Sequence, residues 1–169
     1  MRWTRPDIMN AVWEASRHMM KANKRHMKAM LRIMKYCVLI GEEGLMMKPN
    51  KKWDGTRDFQ FEIVGKSNSD YAKDKSRRSI NGWSTFLNES PVSFKSKMMP
   101  IVTLSVNEAE LFATVLCAQD MMFEMTVLNG MGLKVKLPMT LNVNNKGAKD
   151  LCNNWSIGGR TRHIEVKQY

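Results

Sequence analysis

Residues 59–70 read FQFEIVGKSNSD, and their period points to a sheet. Phe59, Phe61 and Ile63 alternate with Gln60, Glu62 and Val64. Successive strand side chains point to opposite faces, so the alternation predicts a strand with one apolar face, running on toward Asp70. Residues 82–87 and 92–97 read as two further strands, joined by Asn88-Glu-Ser-Pro91 as a hairpin loop. Upstream, residues 45–48 read as a short strand ended by Pro49, followed by a polar, Gly-containing turn over 50–58.

Beyond the strands the period changes. Ser105-Val-Asn-Glu108 is a capping box, in which hydroxyl and carboxylate satisfy free N–H groups at a helix start. The helix predicted over 106–128 has Ala109, Phe112, Ala113, Leu116 and Met121 as its apolar face, and the glycines of 129–132 end it. A strand at 139–144, a short helix at 146–153, a loop and a final strand at 163–168 follow.

Ahead of the strands, Pro6 and Asp7 suit the first turn of a helix predicted over 6–20. Asn23 caps a second over 24–38. Its apolar face is Met27, Met30, Leu31, Met34 and Val38. Arg25, Lys28, Arg32 and Lys35 form a basic stripe on the opposite face, suited either to solvent or to phosphates. The order predicts an α/β chain (α+β mixed), with a mixed sheet flanked by helices and preceded by two N-terminal helices. The expected division is a helical segment over 1–44 and a sheet domain over 45–169.

Of the 169 residues, 43% are hydrophobic, enough for a core. A net charge of +11 and a pI near 9.8 favour anionic partners, nucleic acid foremost. Cys37, Cys117 and Cys152 form no C-x-x-C pair and leave an odd number, which points to a reducing, intracellular setting. His18, His26 and His163 have no zinc spacing, and His18 and His26 are too far apart for adjacent turns of one helix. Sixteen methionines suit a pliable core. No apolar run reaches the roughly 18–20 residues of a membrane span. The N-terminal MRWTRPDIMN lacks the apolar core of a secretory signal.

Several strings, in order, resemble the ribonuclease H domain of copia-type retrotransposon Pol polyproteins. "TRPDIMNAV", "SRHM" and "HMKAMLRIMKY" resemble the segment that follows the polymerase core. "SNSDYAKDKSRRSINGWSTFL" resembles the family's S-D-x-D-x-A-x-D block, and "PVSFKSKMMPIVTLSVNEAELFA" its W-K-S-K…S-x-x-E-A-E-Y block. "VNNKGAKDL" resembles C-D-N-x-x-A, and "GGRTRHIEVKQY" resembles R-T-K-H-I-D-V. The resemblance implies a five-stranded mixed sheet with helices on both sides. It also implies two magnesium ions held by four carboxylates at the scissile phosphate of an RNA–DNA hybrid.

On that resemblance, two metal-bearing aspartates fall at Asn68 and Asn144, and the helix glutamate falls at Glu110. The fourth acid lies in a terminal helix beyond the last matched block, so the ribonuclease H-like domain is expected to be C-terminally truncated. Asp70 stands near Asn68, further along the strand beside Lys73 and Arg77. The catalytic set is therefore degenerate, with Glu110 the one remaining metal-binding carboxylate and no cofactor expected unless magnesium serves a residual activity. Arg77, Arg78, Lys95, Lys97, Lys146, Arg160, Arg162 and Lys167, with the basic stripe of the second helix, are the candidate nucleic-acid-binding residues. Trp83 and Trp155 suit buried roles better than base stacking, and His163 a structural role.

Three functions follow as expectations. The first is a catalytically degenerate ribonuclease H-like protein that binds nucleic acid or a ribonucleoprotein, as a subunit of a larger assembly such as an organellar ribosome. The second is a residual magnesium-dependent ribonuclease H cutting the RNA strand of a hybrid. The third is a protein-binding structural subunit with no nucleic-acid contact.

Overall fold

The computed structural model describes residues 5–42 and 44–153. The chain divides into two units meeting between Met47 and Lys48, each described by itself below.

In the first unit, a 3-10 turn at Pro6–Ile8 leads into α1 (Met9–Ser16). A second 3-10 turn, Met19–Lys21, and extended residues precede α2 (Lys24–Leu39). The expected single helix over 6–20 is thus interrupted. The Asn23 side chain accepts from the N–H groups of Arg25 and His26, while His26 Nδ1 accepts from the Asn23 N–H at 3.2 Å. This is a reciprocal cap with His in the place usually held by Glu or Gln. Across the helix junction, His18 and His26 stack with ring centroids 4.2 Å apart. Their separation in sequence hid this contact.

The expected apolar face of α2 is a correction. Met27, Met30, Leu31, Met34 and Val38 are all exposed. His26, Ala29, Ile33 and Tyr36 instead line a cleft of about 530 Å³ together with Ile8, Ala11 and Ala15 from the helix before it. α2 thus turns its smaller side chains, not its methionines, toward the cleft it shares with α1.

The second unit is built on β1 (Gln60–Phe61), β2 (Ile63–Asp70), β3 (Ile80–Leu87), β4 (Ser90–Met98), α3 (Val106–Gly130), β5 (Lys134–Val135), β6 (Thr140–Val143) and α4 (Lys146–Cys152). The sheet order is β4-β3-β2-β6, with β2 antiparallel to β3 and parallel to β6. β1 and β5 form a separate parallel pair. The fold is mixed α/β, as the periods predict.

Residues 59–70 are not one strand. At Glu62 the N–H and carbonyl turn to Asn88, which bonds them with its side-chain oxygen and its own N–H, each at 2.9 Å. Asn88 and Glu89 both have positive φ, giving a two-residue turn between β3 and β4 rather than a four-residue loop. The strand expected at 45–48 does not form: residues 44–49 are irregular, with Met46 and Met47 exposed. Pro49 removes a ladder donor there. The final strand expected at 163–168 lies outside the described residues.

The core is Phe61, Ile63, Trp83, Cys117, Met121 and Leu128, between the sheet and α3. Phe112, expected in the apolar face of α3, is 40% exposed, while Cys117 is fully buried in its stead. Gly65 of β2 lets α3 come close. A Cβ there would clash with Met121 Sδ and stand 2.7 Å from Cys117 Sγ.

Candidate functional site

β2 alternates buried Ser67 and Ser69 with exposed Lys66 and Asn68. Ser67 meets Thr114 of α3 at 3.1 Å, so α3 covers that face and Asn68 leaves from the other. β6 runs parallel to β2, with Val143 opposite Ser67, and Asn144 follows directly. Its amide Nδ2 donates to Asn68 Oδ1 at 2.9 Å. The next residue, Asn145, caps α4 by accepting from the Ala148 N–H at 2.9 Å. Residues 143–146 therefore pass from strand to paired amide to helix cap without slack.

Glu110 approaches the same part of β2 from α3. It is 4% exposed, and the Ser69 backbone N–H faces its carboxylate. Burial pushes its pKa up, opposed by that N–H. Among the described residues, its Oε2 has no hydrogen-bond partner. The described contacts thus join Asn68 to Asn144 and bring Glu110 to the residue next to Asn68. Asp70, at the end of β2, is ion-paired with Lys73. Glu108 serves the helix start: its Oε2 accepts from the Leu104 N–H at 2.6 Å, and its N–H donates to Ser105 Oγ at 3.2 Å. Among the described residues, no three His, Cys, Asp or Glu side chains gather as a metal group.

Of the basic candidates, Arg77 and Lys97 are exposed, Arg78 is half-buried, and Lys146 is exposed at the start of α4. Lys95 is already engaged, bonding Asp120 of α3 at 2.8 Å above the Trp83 ring. Arg25, Lys28, Arg32 and Lys35 are exposed on α2. Arg160, Arg162 and Lys167, like Trp155 and His163, lie outside the described residues.

Sequence reading missed a polar layer beneath α3. Asp120 accepts from Trp83 Nε1 at 2.8 Å as well as from Lys95, and Glu124 takes the Thr85 hydroxyl. Burial raises the pKa of Glu124, and the Thr85 hydroxyl opposes this. A signal existed: Asp120 and Glu124 interrupt the spacing of Cys117, Met121 and Leu128 on the buried side of the helix. Trp83 is 7% exposed and held within this layer.

The chain is 28% identical over 167 residues to a retrovirus-related Pol polyprotein from transposon RE1 of Arabidopsis thaliana, covering 98% of this chain and 11% of that protein. It is 26% identical over the same length to the corresponding polyprotein from transposon RE2 of Arabidopsis thaliana, again 98% and 11%. It therefore spans about a tenth of the length of these relatives. A third relative, the secreted RxLR effector protein 161 of Plasmopara viticola, is 34% identical over 111 residues, 65% of this chain and 72% of that protein. No family model matches, and no solved structure matches.

Proposed function

This chain belongs to one family with the secreted RxLR effector protein 161 and derives from a retrotransposon Pol polyprotein, and we propose that its sheet unit is a ribonuclease H-like nucleic-acid-binding module without hydrolytic activity. The observation that carries the reading is the bond between Asn68 and Asn144. The resemblance puts metal-bearing aspartates at both positions. Two ionised carboxylates are acceptor-only and hold such a distance through a shared cation, whereas two amides hold it unaided.

The donor set does not fit a pair of magnesium ions. Hard divalent cations require several anionic oxygens. Here Asn68 Oδ1 is occupied by Asn144, Asp70 is paired with Lys73, and burial disfavours the charged form of Glu110. Each charge lost from such a site removes on the order of several kcal/mol of attraction at an effective dielectric near 20.

Exposed Arg77, Lys97 and Lys146 of the sheet unit supply the phosphate contacts. Phosphate-tracking surfaces of this kind lose affinity steeply with salt. Protein partners in a larger assembly complete the role. The test is filter binding of RNA and of an RNA–DNA hybrid across a salt series. The combined variant R77Q/K97Q/K146Q should lower the log–log salt slope by about two to three. An unchanged slope would remove these residues from the interface.

A further inference from the structure

α2 (Lys24–Leu39) carries Lys24, Arg25, Lys28, Arg32 and Lys35, all exposed, and no acidic residue. Beside this row, Met27, Leu31, Met34 and Val38 recur three or four residues apart and are 61%, 49%, 59% and 82% exposed. The helix uses a third face, with Ala29 and Ile33, against α1. Cations and apolar groups thus share the open surface of a helix about 24 Å long. We propose that α2 docks in the plane of an anionic lipid surface, with its methionine-rich face among the acyl carbons and its cations at the level of the headgroup phosphates and carboxylates.

Charge complementarity together with the uncovered apolar face selects this occupant. A nucleic acid would pair with the cations and leave Met27, Leu31, Met34 and Val38 in water. Protein interfaces concentrate binding in aromatic and Arg anchors set into shaped sockets, and this apolar face has no aromatic residue. Methionine and leucine side chains need no such socket and suit fluid acyl chains. A helix with a large moment, low overall hydrophobicity and a Lys/Arg-rich polar face is the composition that binds at a lipid–water interface. The inference stands on the first unit alone and does not depend on the reading of the sheet unit.

The test is co-sedimentation of the full chain with vesicles of pure phosphatidylcholine and with vesicles containing about 30% phosphatidylserine. Binding to the anionic vesicles should be at least about tenfold stronger. L31N/M34N should weaken it by about tenfold or more while leaving RNA binding unchanged, because both side chains are exposed and neither carries charge. K28Q/K35Q should weaken vesicle binding and reduce its salt dependence, with far-UV circular dichroism confirming native helix content in each variant. Equal binding to neutral and anionic vesicles would overturn the proposal. So would an L31N/M34N variant that binds like the native chain, which would leave α2 a phosphate-tracking helix for nucleic acid. Capture of α2 by an acidic amphipathic peptide without any vesicle binding would assign the face to a protein instead.

Discussion

Asn144 Nδ2 donates to Asn68 Oδ1 at 2.9 Å, tying the end of β6 to the exposed face of β2. The bond has a direction, and the two positions respond differently to charge. Asn68→Asp keeps an acceptor for the Asn144 amide and should change stability by less than about 1 kcal/mol. Asn144→Asp removes the donor and should cost about 1–2 kcal/mol. The double change faces two carboxylates and should cost more than the sum at neutral pH, with magnesium restoring part of the loss by binding the native state. Urea denaturation with and without magnesium reads all three.

Burial holds the Glu110 pKa above its ordinary value of 4.5. The native state therefore binds the proton more tightly than the unfolded chain, so this group's contribution favours folding at low pH and is lost as pH rises through the folded value. Glu110→Gln should be more stable than the native chain near neutral pH, and the difference should vanish below about pH 4. Denaturation midpoints across pH check the sign. A variant less stable at pH 7 would mean that the Ser69 N–H outweighs the cost of burying the charge.

Gly65 is required by the approach of α3 rather than by its backbone angles. Gly65→Ala would place a methyl 2.8 Å from Leu141 Cδ1 and closer still to the sulfurs of Met121 and Cys117. The expected loss is about 1–3 kcal/mol, measured by chemical denaturation.

Asp120 joins Trp83, Lys95 and, at 3.4 Å, Ser93. Asp120→Asn should cost about 1–2 kcal/mol through the weakened Trp83 and Lys95 bonds. It should also free Lys95 and strengthen RNA binding at low salt. A destabilised variant with unchanged RNA affinity would place Lys95 outside the interface.

Much of the fold was legible because it rests on periods. Alternation over Phe61 to Asp70, the Ser105 cap and the helix that follows are local signals, and the sheet core formed where they predicted. What sequence could not settle depends on partners distant along the chain. Asn88 breaks the first strand at Glu62 from 26 residues away. α2 turns its smaller residues toward the cleft it shares with α1, against its own hydrophobic pattern. At the candidate site, the positions of Asn68, Glu110 and Asn144 came from resemblance to a motif. The bond between the two amides and the seat of Glu110 at Ser69 required the register of β2 against β6 and α3.

On the proposed reading, the paired amides and a buried, proton-favouring Glu110 leave too little negative charge to hold catalytic cations. Incubation of the full chain with a labelled RNA–DNA hybrid and magnesium, beside the Glu110→Gln variant, tests it directly. The hybrid should bind in a salt-sensitive way with no cleavage of the RNA strand above background, the same for both proteins. Magnesium-dependent cleavage by the native chain, abolished by Glu110→Gln, would contradict it.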